Sequence, residues 1–179
     1  CVSYNVMKKY KNSKIFLAGH NGLVGSAIYD KLRLCGYKRL IVKKRKELDL
    51  KNSDKVLRFL KKTKPDYIIN AAAKVGGIKA NINYPANFIS DNLQIQTNLI
   101  SASYENKVKK LILFGSSCIY PKNLKKPINE KQILSGKLEE TNESYAVAKI
   151  AGIKLIEAFN KPVSYTHLRA HETTPHLVC

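Results

Sequence analysis

Between an apolar run and a stretch of helical periodicity the chain sets glycine at every third position, Gly19-His20-Asn21-Gly22-Leu23-Val24-Gly25, and no other feature restricts the fold as much. The run before it, Lys14 to Ala18 (KIFLA), is short, apolar and bounded by polar residues, as a strand buried in a parallel sheet should be. After it, Leu23, Val24, Ala27, Ile28, Leu32 and Leu34 recur at helical spacing up to Cys35, and Gly36 fits a helix stop. Strand, glycine turn and helix in that order let the backbone approach a pyrophosphate closely, with the helix N–H groups and positive dipole end facing it. A glycine triplet also suits an ordinary turn from strand to helix, so its meaning depends on what surrounds it.

The surroundings repeat the pattern. Arg39 to Val42 (RLIV) is a second strand, and Ser53 is placed to cap an amphipathic helix carrying Val56, Leu57, Phe59 and Leu60. Asp66 to Ala71 (DYIINA) is a third strand, followed by a glycine-bearing loop from Lys74 to Pro85. A long helix is predicted from Ala86 to Asn106, with Phe88, Leu93, Ile95, Leu99 and Ile100 facing the core. Leu111 to Phe114 (LILF) is a fourth strand, Pro121 to Asn142 an extended loop, and Tyr145 to Phe159 a helix. Alternation at this rhythm predicts an α/β fold, a Rossmann-like doubly wound parallel sheet with right-handed crossovers.

A length of 179 residues suits one domain, and 44% hydrophobic with 25% charged residues is a globular composition. No run of about 18 apolar residues is present to span a membrane, and the first dozen positions hold no apolar block of signal-peptide length. Cys1, Cys35, Cys118 and Cys179 lie far apart without a CxxC pair, which argues against a disulfide scaffold or zinc module and suits a reducing cytoplasm. The net charge of +19 invites a nucleic-acid partner, but the lysines are scattered and no aromatic residues interleave with them as stacking platforms. A Lys-rich surface drawing in an anionic small molecule accounts for it better, so neither nucleic acid nor membrane is expected as a partner. His167 and His171 stand four residues apart, with His176 beyond, yet no carboxylate or thiolate ligand is arranged with them and no metal site is expected.

Chemistry concentrates after the strands. The second strand exits into Lys43-Lys44-Arg45, cations suited to the 2′-phosphate of NADP, while Glu47 and Asp49 keep ribose recognition of NAD open; the cation run favours NADP(H). Directly after the fourth strand come Gly115-Ser116-Ser117-Cys118, where a hydroxyl can polarise a carbonyl and a thiol can act as acid or base. Cys118 is equally readable as a small buried hydrophobe. Tyr145 and Lys149 are one helical turn apart, so the ammonium is expected to favour tyrosinate and lower the phenol pKa toward the range of proton exchange with an alcohol or carbonyl.

Read together, AGHNGLVGSAI (18–28), NAAAKVGGIKAN (70–81), NYPANFI (83–89), GSSCIYP (115–121) and TNESYAVAKIAGIKL (141–155) resemble the extended short-chain dehydrogenase/reductase superfamily, over roughly residues 13–160. The wording is closest to its branch that converts GDP-4-keto-6-deoxy-D-mannose into GDP-L-fucose by epimerisation at C3 and C5 and reduction at C4. That resemblance implies NADP(H) as cofactor, contacted by Gly19, His20, Asn21, Gly22, Leu23, Val24, Gly25, Arg45, Asp49, Leu50, Phe114, Gly115, Ser116, Ser117 and Lys149. It implies Ser116, Tyr145 and Lys149 as a catalytic triad, with Cys118 an acid-base group for epimerisation, and a GDP-sugar as the substrate of a cytoplasmic, homodimeric enzyme. The sequence leaves the pattern at about Lys161. Residues 13–161 are therefore expected to be an incomplete NADP-binding domain, 1–12 a disordered extension, and 162–179 a foreign or disordered tail, so that the partner histidine and the substrate domain lie elsewhere. A related nucleotide-sugar epimerase or dehydratase, and a non-catalytic dinucleotide-binding module, are the competing readings.

Overall fold

The structure is a computed structural model that describes residues 10–124, 127–161 and 168–171. Its strands are β1 (Ile15–Ala18), β2 (Leu40–Val42), β3 (Tyr67–Asn70), β4 (Lys110–Phe114) and β5 (Leu168–His171). They interleave with helices α1 (Leu23–Leu34), α2 (Ser53–Thr63), α3 (Ile78–Asn83), α4 (Pro85–Glu105) and α5 (Glu143–Asn160). Every pairing is parallel and the spatial order is β2-β1-β3-β4-β5, with Ile15 opposite both Leu40 and Tyr67, and Tyr67 opposite Lys110. The chain runs outward from β1 to one side and then returns to the other, so the crevice between β1 and β3 is the topological switch point of a doubly wound sheet.

Burial explains the strands. All four residues of β1 are buried, as a central strand covered on both faces requires. Phe16, Ile68, Leu111 and Leu113 join Val56 and Leu60 of α2, Leu99 and Ile100 of α4 and Ile156 of α5 in the main core. A smaller cluster of Ile119, Tyr120, Ile150 and Ile153 lies under the chain that follows β4. The α2 N-terminus is capped by Asn52, whose Oδ1 accepts from Lys55 N at 2.9 Å, rather than by Ser53, which is already the first helical residue.

Other departures have local causes. The segment 74–85 contains α3, a single helical turn and a half begun at Gly77 and held by Asn81 Nδ2 donating to Gly76 O and Gly77 O. Leu93 and Ile95 are only half-buried, and Leu23 and Leu34 of α1 are exposed. In place of more apolar residues, α4 buries Asn92, Gln96 and Ser103. The stretch 121–142 is mostly irregular, as expected, with short 3-10 turns at Glu130–Gln132 and Glu140–Asn142. Tyr10 to Asn12, read as part of a disordered extension, are ordered: the Tyr10 ring meets Tyr67 edge-on at 5.9 Å and Asn12 O accepts from Arg39. Residues 168–171, read as part of a disordered tail, form β5 and satisfy the open edge of β4, Leu111 opposite Leu168 through Phe114 opposite His171. Residues 1–9, 162–167 and 172–179 of those two segments, His167 and His176 included, lie outside the described residues.

The amino edge of the sheet is tied by one carboxylate. Asp66 accepts from Lys14 N at 2.9 Å and pairs with Lys109 Nζ at 2.7 Å, and its own backbone O accepts from Lys109 N. Lys109 beside it holds the Asp66 carboxyl below its ordinary pKa. A carboxyl depressed in the folded state stabilises above its unfolded pKa, and that contribution disappears as pH falls through the folded value. Asp66→Asn is therefore expected to cost about 1 kcal/mol in urea unfolding at pH 7, with the gap between variant and parent closing as the pH falls below the ordinary aspartate range.

Candidate active site

The glycine turn follows β1 and is built by close approach. Gly19 has φ +80° and lies so near the start of the β3 exit that a Cβ would sit 2.5 Å from Ala72 N. A Cβ on Gly25 would lie 2.0 Å from Gly19 O, so the bare glycine brings α1 down onto the turn. Gly22 begins α1 with no side-chain cap, leaving its first N–H groups pointing at whatever occupies the turn. Beside them His20 Nδ1 is buried without a hydrogen-bond partner.

This turn forms one wall of a cavity of about 520 Å³. It brings together the predicted Gly19, His20, Asn21, Gly22, Leu23, Val24, Arg45, Asp49 and Leu50, and adds Ala71 to Val75 from the β3 exit. Gly25 supports it from beneath. At the β2 exit Glu47 is engaged by Lys43 Nζ and by Lys44 N, both at 2.9 Å, whereas Arg45 is exposed and has no ion pair among the described residues. Asp49 accepts from Lys51 N at 3.1 Å, Lys51 pairs with Asp91 of α4 at 2.9 Å, and Asn98 of α4 donates to Leu50 O. Asn92 accepts from Lys74 N and donates to Lys74 O, fixing the opposite wall. A slot of this size, with open helix N–H groups, a buried His20 Nδ1 without a hydrogen bond and a guanidinium with no ion pair among the described residues, fits a phosphorylated dinucleotide.

The remaining predicted residues gather at the exit of β4 and not in that wall. Phe114 ends the strand, Gly115 and Ser116 follow, and Ser117–Ile119 is a 3-10 turn. Lys149 of α5 is 4% exposed and its Nζ donates to Phe114 O at 3.0 Å. Its ammonium lies 5.7 Å from the centroid of the Tyr145 ring. Cys118 Sγ donates to Ser116 Oγ at 3.2 Å. Since β4 neighbours β3, this cluster and the cavity share the carboxyl edge of the sheet.

Electrostatics at the cluster are governed by burial. Desolvation lowers Lys149 to about 8 and raises Tyr145 to about 12. The expected lowering of the phenol by Lys149 is not found: burial, with the Cys118 thiol acting in the same direction, holds Tyr145 up. Burial also raises the Cys118 thiol, opposed only in part by Ser116. At neutral pH the site holds a protonated phenol and a protonated thiol, two proton donors within one cluster. Among the described residues no group of three or more His, Cys, Asp or Glu is placed to hold a metal.

Sequence reasoning missed the wall supplied by Ala71–Val75, Leu48, Asp91 and Ile95. The run 70–81 was informative as a resemblance, but only the adjacency of β1 and β3 shows what it does. Arrangement and sequence agree on the class: the chain belongs to the NAD dependent epimerase/dehydratase family, whose model matches residues 15–172. It is 57% identical over 149 residues to GDP-L-fucose synthase 1 of Arabidopsis thaliana and 51% identical over 148 residues to the Escherichia coli (strain K12) GDP-L-fucose synthase. Each match covers 83% of this chain but 46% of the relative, so the chain spans about half the length of the curated relatives it matches. Among solved structures it is similar to a GDP-mannoheptose C4 reductase from Campylobacter jejuni with NADP bound, at 40% identity and a TM-score of 0.85, covering 90% of this chain and 51% of that one.

Two outcomes are expected. Gly25→Ala should abolish dinucleotide binding, read by fluorescence titration, because the methyl has no room against Gly19 O. Lys149→Met should stabilise the fold at pH 7 by about 2–3 kcal/mol, since the buried ammonium is removed. As the lysine pKa is depressed in the folded state, that gain should fade as pH rises from about 8 toward the unfolded value of 10.5, as melting across pH would show.

Proposed function

We propose that this chain is the cofactor-binding and proton-donating half of an NADPH-dependent enzyme that epimerises GDP-4-keto-6-deoxy-D-mannose at C3 and C5 and reduces it at C4 to GDP-L-fucose. The observation carrying this reading is the cluster of Ser116, Cys118, Tyr145 and Lys149 at the β4 exit, on the same sheet edge as the cavity. Sequence likeness to two GDP-L-fucose synthases supports the choice of substrate. The NADP-bound neighbour and the unpaired Arg45 support NADP(H).

The residues divide the work. The first turn of α1 and the bare turn before it hold the pyrophosphate, and Arg45 takes the 2′-phosphate. NADPH, when bound, supplies the hydride for C4. Ser116 Oγ orients the 4-keto oxygen, and Tyr145, kept protonated by burial, gives its proton to that oxygen as negative charge develops. Lys149 holds a nearby positive charge that stabilises the phenolate left behind. The keto group makes the hydrogens at C3 and C5 acidic, and Cys118 is one member of the acid-base pair that removes and returns them. The resemblance gives Cys118 a partner acid, a histidine that comes after a further strand beyond the Tyr-Lys helix. A cytoplasmic setting and a homodimer belong to the whole enzyme in this reading; among the described residues no helix is long and apolar enough to cross a membrane.

The test has two arms. NADPH should bind this chain at least tenfold more tightly than NADH, and Arg45→Ala should remove most of the difference; equal affinities in the parent chain would refute NADP selection. In a chain completed with the remainder of the Arabidopsis thaliana relative, Tyr145→Phe should cut reduction by about 10²–10⁴-fold with cofactor affinity nearly intact. Undiminished turnover would remove Tyr145 from the mechanism.

A further inference from the structure

Gln96 is 2% exposed on α4, where a leucine would bury more cheaply, because an amide taken from water must recover its hydrogen bonds. Its buried polar neighbours on the same helix spend theirs elsewhere, Asn92 on Phe88 O and Lys74, Ser103 on Leu99 O. Gln96 reaches across to α5, and its Nε2 donates to Ala148 O. That carbonyl belongs to the residue before Lys149 and to the turn that carries Tyr145.

The docking place is cut to fit. The helical partner of Ala148 O is the N–H of residue 152, and residue 152 is glycine. A Cβ there would lie 2.6 Å from Gln96 Oε1, 2.7 Å from Cδ and 2.9 Å from Nε2, so the whole amide lies against bare backbone. Glycine inside a helix costs about 1 kcal/mol relative to alanine, and here it opens the only turn of α5 that takes this amide. Rolling α5 by one residue, about 100°, would present Ala151 or Ile153 to Gln96.

We propose that Gln96 is a positioning residue: seated on Gly152 and bonded to Ala148 O, it fixes the rotation of α5 that sets Lys149 Nζ on Phe114 O and its ammonium beside the Tyr145 ring. The functional weight of this rests on the reading of Tyr145 and Lys149 as the reacting pair; the geometric claim does not. It acts through α5 and touches neither substrate nor cofactor.

Selective labelling of lysine in the 179-residue chain, with Lys149→Arg to assign the signal, allows the Lys149 titration to be followed by NMR. In the parent it should titrate near 8. Gln96→Met, of similar volume but with no donor, should move it upward by a unit or more, a tenfold change in proton affinity, and Gly152→Ala should act in the same direction. A role confined to packing would lower the melting temperature and leave the Lys149 titration where it was, and that result overturns the proposal. Should Gln96→Met not fold, the parent chain decides: the Gln96 side-chain amide hydrogens should exchange at least a hundredfold more slowly than those of the exposed Gln94. Equal exchange overturns it. Failure of Tyr145→Phe to reduce turnover would refute the enzymatic reading and leave this titration unaffected.

Discussion

A single steric contact sets the architecture of the binding edge: the bare Cα of Gly25 against the carbonyl of Gly19. With any side chain at residue 25, α1 would be pushed off the turn, and its open N–H groups would no longer face the crevice. Gly19 makes the reciprocal approach to the β3 exit, so β1, α1 and the Ala71–Val75 wall are locked through backbone alone. The left-handed φ of Gly19 and the parallel order of the strands then leave one place for a long anionic ligand, the carboxyl edge.

Polar groups on α4, some buried and some half-buried, extend that lock to the chemistry. Asn98 and Asp91 hold the loop after β2, Asn92 holds the loop after β3, and Gln96 holds α5. Four side chains of one helix thereby place three walls that are distant in sequence. The burial they enforce also sets proton affinities: water excluded from the β4 exit drives Lys149 down and Tyr145 up, keeping the phenol charged with a proton until a developing oxyanion takes it.

The strands and the glycine turn were legible in the sequence because short apolar runs and glycine spacing answer directly to backbone geometry. Tyr145 and Lys149 were legible because helical spacing puts residues four apart on one face. The sign of the tyrosine shift was not, since spacing reports neighbours and says nothing of how much water they lose. Asn92, Gln96 and Ser103 were invisible for the opposite reason: on a helix a polar residue reads as solvent-facing, and only the neighbouring helix and loops bury it. Leu23 and Leu34 misled in the reverse sense, being apolar at helical spacing yet exposed. α3 was too short for periodicity to register, and β5 carries a pairing that depends on β4 rather than on any pattern of its own.

Asp66 and its lysine contacts hold the opposite, amino-terminal rim of the sheet, while every candidate reacting group stands on the carboxyl rim. The two rims are separated by the length of the strands. A fluorophore, affinity handle or surface tether introduced near Lys109 would therefore report on or immobilise the molecule from behind, with the ligand's entrance left clear.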